Sequence, residues 1–105
     1  MTDIIIYTKP DVHSHKMDLL IGDPDKSDRG EYCWDLHNLP KRFKEGDRIY
    51  FATKGFIRGY FICNYIDEGW NQIGWDSESW KAIKPIPCKA FQGFKYADKV
   101  KELKR

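Results

Sequence analysis

Two runs rich in aromatic and β-branched residues, 48–53 (Arg-Ile-Tyr-Phe-Ala-Thr) and 56–65 (Phe-Ile-Arg-Gly-Tyr-Phe-Ile-Cys-Asn-Tyr), meet across the two-residue break Lys54-Gly55. Runs of this kind, bounded by turn residues, are the sequence form of a β-hairpin. Gly55 supplies the positive φ that a tight hairpin turn needs. Gly46-Asp47 marks the turn that starts the first strand. Gly59, inside the second run, predicts a bulge or a close backbone approach at that point. The chain is committed to sheet before any activity is considered.

The flanking segments extend the pattern. Residues 3–8 read as an opening strand, and the unbroken Ile4-Ile5-Ile6 predicts burial on both faces. Lys9-Pro10 ends it, because proline has no N–H for the ladder. A short helix is expected over 11–21 and a polar loop over 22–30, where Gly, Asp, Pro and Ser concentrate. Residues 31–39 are ambiguous between a short strand and a helical turn. Asp67-Glu68-Gly69 is a turn, and 70–75 is either irregular or a short strand. Pro85 and Pro87 make 79–88 an edge strand. A short helix is expected over 97–105, with Tyr96, Val100 and Leu103 on one side. Four to six strands with short helices predict a mixed α/β (α+β) protein whose sheet curls into a partly open barrel.

With 105 residues, one domain is the expectation. No apolar run approaches membrane-spanning length, and the opening residues lack the basic start and long apolar core of a signal peptide. A cytoplasmic protein with no membrane partner is therefore expected. Cys33, Cys63 and Cys88 cannot all pair within the chain, and none shows CxxC spacing. His13, His15, Cys33 and His37 offer four zinc-type ligands without finger spacing, so neither a metal nor another cofactor is expected.

The net charge of +2 does not by itself announce nucleic acid. The distribution says more. Lys41, Arg42, Lys44 and Arg48 cluster before the hairpin, and further lysines load the C-terminal segment. The acids concentrate between Asp18 and Asp35 and between Asp67 and Glu78. A nearly neutral chain can in this way present a basic face.

Three segments, in order, resemble the PUA-like superfamily, most closely its EVE-type domains. Tyr7-Thr8-Lys9-Pro10 looks like the end of the family's first strand, with Lys9 where the family has glutamate. Trp34-Asp35-Leu36-His37-Asn38 resembles its Trp-x-Gly-Val-Arg-Asn segment, with His37 in place of arginine. Gly46-Asp47-Arg48-Ile49-Tyr50-Phe51, followed by Gly55 and Gly59, resembles its Gly-Asp strand and hairpin. The related ASCH signature is absent. The resemblance implies a PUA-like barrel that binds RNA or modified bases in DNA.

On that expectation, Trp34 stacks a modified or extruded base, Asn38 and Thr8 read its edge, and Tyr50 adds to the pocket. Lys9 and the basic residues Lys41, Arg42, Lys44 and Arg48 hold phosphate. Trp70 and Trp80 are assigned to the core. The expected partner is nucleic acid, and short edge strands leave room for a homodimer. Two other classes remain. One is a small hydrolase acting on modified nucleosides or RNA, drawing on Lys9, Asp11, His37 and Tyr50. The other is a protein-interaction module of the phage or mobile-element kind. A binding role without catalysis is favoured over both.

Overall fold

A computed structural model describes residues 2–7 and 33–103. Its strands are β1 (Ile4–Tyr7), β2 (Cys33–Asp35), β3 (Arg48–Thr53), β4 (Phe56–Asp67), β5 (Gln72–Trp75), β6 (Lys81–Pro87) and β7 (Phe94–Tyr96). The hairpin is β3 and β4. Lys54 and Gly55 both have positive φ, 53° and 85°, the signature of a type I′ turn whose twist matches that of the strands it joins.

β4 organises the sheet because both of its edges are used along its 12 residues. β3 lies along one edge. Along the other, β5 and β6 follow one another, β5 against the far half of β4 and β6 against the near half. The break between them is the 3-10 turn Ser77–Ser79. It is pinned to β4 at Ile62, whose N–H donates to the Ser79 hydroxyl at 2.8 Å and whose carbonyl accepts from Asp76 N at 3.1 Å. β2 pairs with the outer edge of β5, while β1 runs parallel to β3 and carries β7 on its far side. The order is β2-β5-β4-β3-β1-β7, with β6 attached to β4.

The hairpin register shifts by one residue between Phe51 and Ala52, and the β4–β6 register shifts between Ile57 and Gly59. A Cβ on Gly59 would lie 2.6 Å from the Lys81 carbonyl oxygen and from the Trp80 ring. The position therefore has both the bulge and the close approach that its glycine predicts.

Alternation sorts the side chains onto two faces. Ile4, Ile6, Ile49, Phe51 and Phe61 join Ile73 and Trp75 in one core, whose rings pack edge-on or stacked at 5.2–5.8 Å between centroids. Ile5, Tyr50, Ala52, Ile57 and Tyr60 join Ala97 and Leu103 in a second core on the opposite face. The three isoleucines of β1 are each at most 1% exposed, buried from both sides as their continuous run predicts.

Several expectations are corrected. The described residues are mostly sheet, and their helical content is three 3-10 turns, Ser77–Ser79, Ala97–Lys99 and Lys101–Leu103. The mixed α/β character is thus not found among them. The expected C-terminal helix breaks at Val100, which is extended at φ −103°, ψ 113°. As a result Tyr96 packs against the first core while Val100 and Leu103 pack into the second. The sheet is not closed into a barrel, since β2 and β7 end the path unpaired with each other. The expected helix over 11–21 and loop over 22–30 lie outside the described residues. Among the described residues, no helix is long and apolar enough to cross a membrane.

Candidate functional site

The 36–47 segment connects β2 to β3, anchored to the first core by Leu36 and Phe43. Its start is tied to the β4–β5 turn. Leu36 N donates to Asn71 O at 2.8 Å, and Asn71 Nδ2 donates to His37 O at 3.1 Å. The turn itself is held by Asp67, whose Oδ1 accepts from Gly69 N and Trp70 N at 3.0 and 3.2 Å. These bonds bring Trp70 to the same end of the sheet as His37 and Asn38, all three on the surface.

Trp70 is 79% exposed, which overturns its assignment to the core. The signal was in the sequence: Trp70 directly follows Asp67-Glu68-Gly69, and turn tips face water. Trp80 does pack inward, against Phe61 at 4.8 Å, and the deeply buried tryptophan is Trp75.

The middle of the segment carries the basic residues. Lys41, Arg42 and Lys44 are exposed and border a cleft of about 530 Å³ with Thr2, Glu45 and Asp47. Asp47 is buried, and its Oδ2 accepts from Lys44 N at 3.0 Å and Thr2 N at 3.3 Å. Asp47 is thus held inward by two backbone donors, while Glu45 is exposed beside the three cations. Lys41 N donates to the Tyr96 hydroxyl at 3.0 Å, and the Arg42 guanidinium lies 5.0 Å above the Tyr96 ring. Arg42 also stands 4.0 Å from Asp98, but both side chains are about two-thirds exposed, so the pair is weak and Arg42 remains available to an anion.

The other expected site residues go elsewhere. Trp34 is half-buried and packs edge-on against Phe51 at 6.0 Å, on the first core's face. Tyr50 is 2% exposed and belongs to the second core, so the sheet separates it from Trp34 and the two do not share a pocket. Arg48 leaves the basic cluster for the same reason: alternation along β3 places it with Tyr50. Its Nη1 donates to the Tyr50 hydroxyl at 3.1 Å, and its guanidinium sits 4.4 Å above the Tyr60 ring. The hydrogen bond to Tyr50 raises the Arg48 pKa, with burial opposing it. Thr8 and Lys9 lie outside the described residues.

His37, in the exposed turn after β2, and Tyr50, buried on the far side of β3, are not assembled as a hydrolytic pair. Lys9 and Asp11, their expected companions, lie outside the described residues, as do His13 and His15. Among the described residues no group of three His, Cys, Asp or Glu side chains comes together as a metal cluster. The described arrangement joins the turn that carries the exposed Trp70 to the start of the segment that carries Asn38, Lys41, Arg42 and Lys44. Comparison with protein-family models, with curated proteins and with solved structures finds no match to this chain.

Proposed function

We propose that the protein binds single-stranded nucleic acid along the 36–47 segment, with a base stacked on Trp70 and the phosphates on Lys41, Arg42 and Lys44. The observation that carries the reading is the grouping of three exposed cations around one cleft on the segment whose start is bonded to the Trp70 turn. His37 and Lys41 are four residues apart, at most about 14 Å of extended chain, which is a span of a few nucleotides. Asn38 carries a donor and an acceptor for a base edge. The resemblance of 34–38 and 46–51 to PUA-like, EVE-type segments supports the same partner class, RNA or modified DNA. In this reading the stacking role passes from Trp34, whose ring packs on Phe51, to Trp70.

The test is fluorescence anisotropy with labelled DNA and RNA oligonucleotides, unmodified and base-modified, at about 50 mM and about 200 mM salt. Trp70→Ala is expected to weaken binding by roughly 5- to 100-fold, the value of one base–aromatic stack. Replacing Lys41, Arg42 and Lys44 together by alanine is expected to flatten the log–log salt slope by about 2 for a single strand. An absence of binding at low salt across the whole panel would sink the proposal.

A further inference from the structure

The face of the sheet that carries the second core holds a different cleft, of about 470 Å³, within the range of small-molecule sites. Its wall is apolar: Ile83 and Ile86 from β6 and Leu103 from the last 3-10 turn, with Pro85 and Pro87 at the rim. Its polar groups are few. The Arg48 guanidinium has five N–H donors, and its contacts use one of them, to Tyr50, and one ring face, on Tyr60. The Tyr50 hydroxyl accepts that bond, and its own proton finds no acceptor among the described residues.

We propose that this cleft binds a small monocarboxylate with an apolar body, the carboxylate received by Arg48 and Tyr50 and the body by the Ile83, Ile86 and Leu103 wall. A guanidinium fork matches a carboxylate in shape as well as charge. Stacking on Tyr60 and the bond to Tyr50 hold the fork in place, which lowers the ordering cost of binding. Among the described lining residues the cations are Arg48 and Lys84 and the carboxylate is Glu102, while Asp3 also acts on Arg48 and accepts from its backbone N at 2.8 Å. With that balance a monoanion fits better than a phosphate dianion, which would meet repulsion from Glu102 and Asp3 with too few cations to offset it. The site is separate from the 36–47 segment and stands whether or not nucleic acid binds there.

The experiment is a titration of the full chain followed by amide NMR, with benzoate and hexanoate as probes and benzyl alcohol and hexanol as their neutral counterparts. The carboxylates are expected to shift the amide resonances of 48–50, 83, 84, 86 and 103, and to bind at least about 10-fold more tightly than the alcohols. Arg48→Gln is expected to remove that advantage, so that carboxylate and alcohol bind the variant with equal affinity. Equal affinity of carboxylate and alcohol on the wild-type chain overturns the proposal, whatever the folding of the variant. So does an absence of shifts at about 10 mM probe, or a response confined to 41–44.

Discussion

A methyl group added at Gly59 meets the Lys81 carbonyl oxygen and the Trp80 ring at 2.6 Å, whereas one added at Gly55 meets nothing within 4 Å. The two glycines are needed for different reasons: Gly59 for the space that a neighbouring strand occupies, Gly55 for its φ of +85°. Gly59→Ala is expected to cost about 2–3 kcal/mol, since backbone cannot swing aside. Gly55→Ala should cost about 1 kcal/mol from the left-handed turn alone. Urea unfolding of the two variants checks the order, and a larger loss for Gly55→Ala would contradict it. Cys63, 1% exposed, provides a second prediction at this scale. Burial pushes its thiol from an ordinary value near 9 up to about 11, opposed in part by backbone hydrogen bonding at Tyr65 and Gly74. Below the unfolded value both states keep the proton and the contribution is complete. Between about 9 and about 11 the unfolded chain releases the proton while the fold retains it, so stability falls as pH rises through that window. Cys63→Ala should show a shallower decline than the wild type in urea midpoints measured across it.

β6 shows how an element manages its exposed edge. Cys88 N donates to Gly55 O at 2.8 Å, so in the extended strand the N–H of alternate residues points toward β4. The Pro87 nitrogen then falls on the open side and Pro85 lies where the β4–β6 register shifts, so neither offers a donor that would invite another strand. Lys81 and Lys84, both exposed, add like charge to that edge. Replacing Pro85 and Pro87 together with valine restores two backbone donors and raises β propensity. The expected outcome is concentration-dependent self-association in sedimentation velocity, with the wild type unchanged over the same range. A double variant that sediments as the wild type does would show that the prolines do not protect this edge. The same geometry makes β6 a poor seam for a homodimer and leaves β2 and β7 as the other sheet edges.

At the scale of the described residues, one sheet lies between two cores. The residues proposed to touch nucleic acid are exposed and contribute little to either core. Replacing Lys41, Arg42 and Lys44 by alanine should therefore leave the unfolding midpoint within about 0.5 kcal/mol of the wild type. Phe61→Ala, which opens a cavity among Phe51, Trp75 and Trp80, should cost about 3–5 kcal/mol in the same assay. A triple variant as damaged as Phe61→Ala would mean that the 36–47 segment is structural. Local sequence determined the hairpin and its turn, the double burial of Ile4-Ile5-Ile6, the bulge at Gly59 and the edge position of Pro85 and Pro87. Each rests on φ, on a missing N–H or on a two-residue period, and those properties travel with the residue. Tertiary structure alone decided which side chains meet. The basic cluster 41–48 is continuous in sequence, yet β3 alternation sends Arg48 to Tyr50 and Tyr60 and leaves Lys41, Arg42 and Lys44 at the other cleft. Trp34 and Tyr50 part in the same way, onto opposite faces of the sheet. The turn that carries Trp70 is joined to His37 by an Asn71 hydrogen bond spanning 34 residues. Contacts of that range depend on strand order and register, which composition and spacing do not encode.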